Sequence, residues 1–335
     1  MLSLTIGACA DRASDTTPPT AASSENDSGG DGPSTEAERG QSDFVDVVGR
    51  VRPSVVEIST GSGLGSGVAY DDKGNIVTNA HVVGDATDVQ VTTVDGRTLR
   101  GTVVGAFPPD DLAVVRVSGS GAPPAPKFGD SSAVKVGQIV LAIGNPLGLE
   151  SSVTEGIVSS TGRTVPVGNG VVLPSTIQTS APINPGNSGG ALVDLDSQVI
   201  GIPTLAAVNP ELGAAPGIGF AVPSNTVKRI ADQIIANGTV TDSGRAALGV
   251  TGTNVMTPVG DPIGVLVRGV QGQRAADQAG IRPGDIITAV DGKPTRTMEA
   301  LQAVLADLAP GQRVNVDVIR ADGSKETVQV NLGSL

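Results

Sequence analysis

Short runs of β-branched and aliphatic residues recur along most of this chain, each bounded by glycine, proline, asparagine or aspartate. Ser54-Val55-Val56-Glu57-Ile58, Gly67-Val68-Ala69-Tyr70, Asn75-Ile76-Val77-Thr78 and Val89-Gln90-Val91-Thr92-Thr93-Val94 each suit a strand. Further strands are expected over 99–104, 112–117, 138–143, 153–159, 176–179, 199–202 and 218–222. Asp72-Lys73-Gly74 and Asp95-Gly96 stand where hairpin turns are needed. About a dozen short strands with no helix between them predict an all-β barrel or sandwich. The 335 residues hold no Trp, one Tyr and four Phe, so the core must be filled by Val, Ile, Leu and Ala, which suit a pleated sheet.

Charge and cysteine content narrow the function classes. The formal net charge is −12, and residues 10–46 carry nine acids against two bases, so more than half of the excess sits in one segment. No Lys/Arg cluster offers a surface for nucleic acid or anionic lipid. One Cys permits no internal disulfide, and one His with one Cys leaves no nitrogen/sulfur metal cluster. Neither metal nor cofactor is expected. No apolar run reaches the roughly eighteen residues that a spanning helix needs.

One stretch carries chemistry. In Asn184-Pro185-Gly186-Asn187-Ser188-Gly189-Gly190 a serine lies between glycines, followed by the apolar run Ala191-Leu192-Val193. Glycines let the backbone adopt conformations in which main-chain N–H groups converge beside the hydroxyl, the construction of an oxyanion hole. A serine hydroxyl is a weak nucleophile near neutral pH, so it needs a base within reach and a third group to orient that base. His81, in Thr78-Asn79-Ala80-His81-Val82-Val83, is the single histidine, and Asp110-Asp111-Leu112-Ala113-Val114-Val115 places acids at the head of another β-branched run. Taken singly, a histidine can be structural, an aspartate can cap a turn and a glycine-rich loop can be only a loop. Together the three motifs favour catalysis.

These motifs, in this order, resemble the HtrA (Deg) family of trypsin-like serine proteases from about Val45 onward. The resemblance implies a mainly β fold: a chymotrypsin-like double β-barrel, six strands in each barrel, followed by a smaller α+β PDZ domain. His81 and Asp111 would come from the first barrel and Ser188 from the second. Ser188 would attack, His81 would take and return the proton, Asp111 would orient the imidazole, and the N–H groups of Gly186 and Ser188 would receive the oxyanion. Asp111 is chosen because the family's acid directly precedes Leu/Ile-Ala; Asp110 is the alternative. Cleavage is expected to fall on acidification through roughly pH 6–7, since the base must be neutral to accept a proton.

The position six before the serine is Pro182, where a preference for Lys or Arg would need a buried acid. Ile183 and Ile218 are expected instead to wall a pocket for a small aliphatic residue. Pro203 departs from the family, which has a polar residue there, and puts substrate pairing near Thr204 in doubt. Residues 205–216 are expected to form a mobile loop.

Ser224 is expected to cap a helix over 225–236, with Gly238 as its stop and 239–244 as a polar linker. Beyond it, Ala276-Asp277-Gln278-Ala279-Gly280-Ile281-Arg282-Pro283-Gly284-Asp285 resembles bacterial PDZ domains. Strands are expected at 264–267, 284–290, 314–320 and 327–330, and helices at 274–279 and 298–308. Leu248, Gly249 and Val250 would then form the loop whose N–H groups bind a peptide carboxylate while the peptide adds a strand alongside.

The expected organisation is an N-terminal segment over 1–42, a protease domain over 43–238, the linker and a PDZ domain over 245–335. Residues 11–42 are rich in Ser, Thr, Pro, Gly and acid and should be disordered. Ile6-Gly7-Ala8-Cys9 resembles a bacterial lipobox, with Cys9 lipidated; eight residues are too few for a signal, so this reading requires a start further upstream, and the alternative is a chance likeness. The whole reads as an extracytoplasmic serine endopeptidase of the cell envelope, cleaving unfolded or damaged proteins and binding peptide C-termini. Membrane contact would come only through the lipid anchor, and the family suggests a homotrimer with Phe44 as the nearby aromatic contact. The competing reading is a proteolytically idle, chaperone-like protein that acts through its PDZ domain.

Overall fold

The structure is a computed structural model that describes residues 36–61, 63–119, 121–145, 152–168, 171–184, 186–209 and 213–335. The expected lipobox with Cys9, and most of the acidic N-terminal segment, lie outside the described residues. The chain divides between Gly40 and Gln41, and residues from Gln41 to Leu335 form one compact unit.

Helix α1 (Glu36–Val51) occupies the end of the expected acidic linker and the start of the expected protease domain, where no helix was expected. The reason lies in spacing: Phe44, Val47, Val48 and Val51 stand at i, i+3, i+4 and i+7, one helical face. Val47 and Val51 are buried, and Phe44 is partly buried against the same core.

The first barrel consists of β1 (Val55–Ser59), β2 (Leu64–Ala69), β3 (Asn75–Thr78), β4 (Asp88–Thr92), β5 (Thr98–Phe107) and β6 (Leu112–Val117). It closes in the order β1-β2-β3-β6-β5-β4, with Ile58 opposite both Gly65 on β2 and Val91 on β4. Val56, Ile58, Ile76, Val91 and Val115 fill it, as the scarcity of aromatics requires. One-turn helix α2 (Ala80–Val83) follows β3 directly.

A short β7 (Lys127–Phe128) leads to the second barrel: β8 (Ile139–Gly144), β9 (Ser152–Gly168), β10 (Val171–Thr179), β11 (Ala191–Val193), β12 (Gln198–Asn209) and β13 (Gly213–Pro223). Their order is β11-β8-β9-β10-β13-β12, and β12 pairs back onto β11, so six strands close here too. Residues 205–209 and 213–216, expected as loop, continue β12 and β13 as a paired hairpin with Val208 opposite Ala214. Residues 210–212 lie outside the described residues.

Helix α3 (Ser224–Asn237) begins one residue earlier than expected. Pro223 is its N-cap, while the Ser224 hydroxyl donates to the Gly129 carbonyl at 2.9 Å. Gly238 ends the helix as expected, with φ at 72°. Val227, Ile230 and Ile234 of α3 join Val68, Val77 and Leu112 of the first barrel and Leu141, Ile143, Ala191 and Ile202 of the second in one core. The two barrels are therefore packed on each other through a shared apolar seam.

The smaller α+β part contains β14 (Ala246–Ala247), β15 (Val250–Met256), β16 (Pro262–Val270), α4 (Ala275–Gln278), β17 (Ile286–Val290), β18 (Lys293–Pro294), α5 (Met298–Ala306), β19 (Arg313–Ile319), β20 (Lys325–Asn331) and β21 (Gly333–Ser334). Its sheet runs β15-β16-β17-β19-β20, with β18 on β17 and β14 paired with β21. Among the described residues β15 pairs only with β16, which leaves its outer edge open for another strand. Val265, Ile287, Leu301, Val314 and Val316 form a separate core. The architecture is the expected one, mainly β with two barrels and a smaller α+β domain.

Candidate active site

His81 sits on α2, directly after β3, and two polar contacts anchor the residues that lead into it. The Thr78 hydroxyl donates to the Ser66 carbonyl at 2.6 Å, and Asn79 Nδ2 donates to the Asp111 carbonyl at 2.9 Å. Asp111 follows the 3₁₀ turn Pro108–Asp110 and adopts left-handed backbone angles, φ 51° and ψ 42°, which few non-glycine residues take. That geometry aims its carboxylate back at α2. Oδ1 accepts from the His81 main-chain N–H at 3.0 Å, and Oδ2 lies 2.8 Å from His81 Nδ1. An imidazole that donates through Nδ1 leaves Nε2 as an acceptor, the tautomer a general base requires.

Asp110, the alternative acid, points the other way. It is buried, and its Oδ1 accepts from Arg245 Nη1 at 2.9 Å. Burial pushes its carboxyl above the ordinary range, with Arg245 and then Arg229 pulling against that rise. Of the two aspartates, Asp111 alone touches His81.

Ser188 lies in a turn fixed from several sides. Asn187 N–H donates to the Asn184 carbonyl at 3.1 Å, and the buried Asn187 side chain holds both the Asn184 N–H and the Pro182 carbonyl. Gly189 N–H donates to the Pro203 carbonyl at 2.9 Å. Gly186 and Gly189 have φ of 118° and 81°, and a Cβ at Gly189 would stand 2.2 Å from the Ser66 carbonyl oxygen. Among the described residues the N–H groups of Gly186 and Ser188 donate to no acceptor. Main-chain donors without an acceptor, flanking a serine in one turn, suit an oxyanion.

Two residues to which the sequence reading gave no part in the triad organise this turn. Ser66, on β2 of the first barrel, donates its main-chain N–H to the Ser188 carbonyl at 2.9 Å, and its hydroxyl donates to the Gly186 carbonyl and accepts from Asn145 N–H. Its flanking glycines were the available signal: a Cβ at Gly65 would lie 2.6 Å from Val82, and one at Gly67 2.7 Å from Ile58. Thr204, on β12, donates its hydroxyl to Asp111 Oδ2, and its carbonyl accepts from the Ser188 hydroxyl at 3.2 Å. The register of β12 against β13 shifts between Pro203 and Leu205, and this irregularity turns Thr204 into the site. Pro203, noted as a departure, sits at the edge of that shift, opposite Ala221. No hydrogen bond joins Ser188 to His81 among the described residues.

The remaining expected site residues fall in two places. Ile183 is buried in the second-barrel core, where a Cβ at Gly219 would come within 2.3 Å of it; Ile218 is exposed. Pro182 is exposed, and its carbonyl accepts from Thr154 at 2.8 Å. In the α+β part, Leu248, Gly249 and Val250 line a cavity of about 350 Å³ together with Leu301 and Leu305 of α5. The N–H groups of Leu248 and Gly249 donate to no acceptor among the described residues, and Gly249 has φ of 76°. No cluster of three or more metal-ligating side chains occurs among the described residues.

Comparison with known proteins bears on the same two parts. Residues 65–202 match the trypsin-like peptidase domain, and residues 224–332 match the PDZ domain. Serine protease PepD of Mycobacterium tuberculosis is 42% identical over 310 residues, which are 86% of this chain and 65% of that protein. Periplasmic serine endoprotease DegP of Escherichia coli K12 is 41% identical over 276 residues, covering 80% of this chain and 56% of that one. The chain thus spans less than two thirds of the length of these relatives. Among solved structures, the HtrA-type protease AlgW with a decapeptide superposes with a TM-score of 0.60 at 32% identity, covering 87% of this chain and 98% of that one. The serine endoprotease from Yersinia pestis gives 0.59 at 34% identity, covering 87% and 98%. The chain belongs to the HtrA (Deg) family of trypsin-like serine proteases, with one PDZ domain after the peptidase domain.

Proposed function

We propose that this protein is an extracytoplasmic serine endopeptidase that cleaves unfolded or damaged proteins by acyl transfer. The observation that carries the proposal is the grip of Asp111 on His81 Nδ1 at 2.8 Å, next to a glycine-flanked serine whose turn offers two unsatisfied N–H groups. In this reading Ser188 Oγ attacks the scissile carbonyl as its proton passes to His81 Nε2, and Asp111 stabilises the imidazolium. The N–H groups of Gly186 and Ser188 hold the oxyanion. The tetrahedral species collapses as His81 protonates the leaving amine, and water then releases the acyl group by the same steps. Ile183 and Ile218 would favour a small aliphatic residue before the cleaved bond. The protease domain would occupy 43–238 and the PDZ domain 245–335, the latter taking peptide C-termini on Leu248, Gly249 and Val250.

The extracytoplasmic setting is supported by relatives named periplasmic. No described helix is long and apolar enough to cross a membrane, and a lipid on Cys9 would supply an anchor. The bond from the Ser188 hydroxyl to the Thr204 carbonyl favours a second reading, a protein whose triad is idle and which acts by binding peptides. Incubating an unfolded casein with wild type and with Ser188→Ala separates the two. Cleavage by wild type alone supports the peptidase; equal cleavage, or none, by both overturns it.

A further inference from the structure

Arg245 bridges the segment entering the PDZ domain and the turn that carries Asp111. Its Nη1 donates to Asp110 Oδ1 at 2.9 Å and to the Pro109 carbonyl at 2.6 Å, and its Nη2 donates to the Val172 carbonyl on β10 at 3.0 Å. The side chains of Arg245 and Asp110 are only 11% and 2% exposed. Asp110 Oδ2 has no hydrogen-bond partner, and among the described residues Arg245 is the one cation hydrogen-bonded to this carboxylate, with Arg229 acting on it from further away.

A buried carboxylate that loses its hydrogen-bonded cation is destabilised where it stands, and the segment holding it has to move or take up water. That segment is the turn whose next residue is Asp111. Left-handed backbone at an aspartate persists only where its surroundings hold it. Three contacts do so here: Asp111 N–H to the Pro108 carbonyl at 3.0 Å, Asn79 to the Asp111 carbonyl, and Arg245 to both Pro109 and Asp110. The first two lie within the first barrel. The third comes from the far end of the chain.

We propose that Arg245 is a positioning residue for the catalytic acid: by fixing the Pro108–Asp110 turn it sets the angle at which Asp111 meets His81. This rests on the peptidase reading above. It places a determinant of turnover at the mouth of the PDZ domain, because Arg245, Pro109 and Val172 line the same 350 Å³ cavity as Leu248 and Leu305. A peptide carboxylate seated on Leu248 and Gly249 would lie against the residue that steers the triad.

The test uses the full chain and steady-state cleavage of unfolded casein by wild type, Arg245→Lys, Arg245→Met and Asp110→Asn/Arg245→Met, with melting temperatures measured in parallel. Arg245→Met is expected to lower kcat by about 10-fold to 100-fold with KM within about twofold, the signature of misaligned chemistry. The double variant, which has no uncompensated carboxylate, is expected to recover most of that loss. Arg245→Lys keeps the charge but not the fork, and should lose several-fold in kcat at a near-native melting temperature. If Arg245→Met does not fold, the lysine variant decides the matter. Wild-type kcat in a folded Arg245→Met or Arg245→Lys would overturn the proposal, as would a loss in Arg245→Met that the double variant does not recover. Absence of Ser188-dependent cleavage in wild type would instead sink the peptidase reading beneath it.

Discussion

Thr204 donates its hydroxyl to the carboxylate of Asp111, and through its carbonyl it also holds the hydroxyl of Ser188. One residue on an irregular strand thus touches both ends of the proposed triad. Replacing it with valine removes the hydroxyl and keeps the shape and the carbonyl. Loss of one hydrogen bond to a charged group, about 1.5–3 kcal/mol, predicts a kcat lower by about 10-fold to 100-fold for Thr204→Val, with Thr204→Ser close to wild type. Steady-state kinetics on unfolded casein checks this, and equal loss in the serine variant would point to packing instead.

Gly189, beside the proposed nucleophile, has no room for a side chain. At a φ of 81° and with the Ser66 carbonyl 2.2 Å from the position of a Cβ, alanine there is both strained and obstructed. Gly189→Ala is expected to abolish labelling of Ser188 by a fluorophosphonate probe. Gly162→Ala also has positive φ but meets nothing within 4 Å, so it should label normally.

The cavity beside α5 predicts a carboxylate-dependent ligand. Unsatisfied N–H groups at Leu248 and Gly249 would bind a free peptide terminus, and Leu301 and Leu305 would cover an apolar last side chain. Titration of a fluorescent peptide ending in a free aliphatic residue should give binding at least about 10-fold tighter than its C-terminal amide. Equal affinities would remove this loop from the reading.

Asp130 makes a pH-dependent contribution to the fold. Hydrogen bonds from the Ser132 hydroxyl and Asn225 Nδ2, each 2.7 Å, and from Ser132 N–H hold its carboxyl down to about 2 from the ordinary 3.8. Because the folded value lies below the unfolded one, its contribution is complete above about pH 4 and is lost as pH falls toward about 2. Melting temperatures of wild type and Asp130→Asn should therefore differ at pH 6 and converge near pH 2.

What could be read from the sequence was what is local. His81, Asp111 and Ser188 stand in short motifs whose neighbours, Asn79, Leu112 and the glycines around Ser188, serve the same site, so each motif reports on itself. The strands of both barrels were legible because β-branched alternation is a local pattern. Ser66, Thr204 and Arg245 were not, because each matters through a partner 93 to 135 positions away or across the barrels, and nothing in its own surroundings names that partner. Helix α1 was hidden differently. Its face is built from valines, which suggest a strand by type even when their spacing is helical. The hairpin of β12 and β13 was obscured by proline and glycine, which punctuate strands as readily as they end them.

Ser66 ties the docking of the two barrels to the competence of the nucleophile. Its bonds to the carbonyls of Gly186 and Ser188 run from one barrel into the turn of the other, so slippage along the apolar seam between them would release the turn that carries the proposed oxyanion donors. Under the proposed reading, a copy whose barrels have begun to separate would lose its cutting site before the rest of its fold.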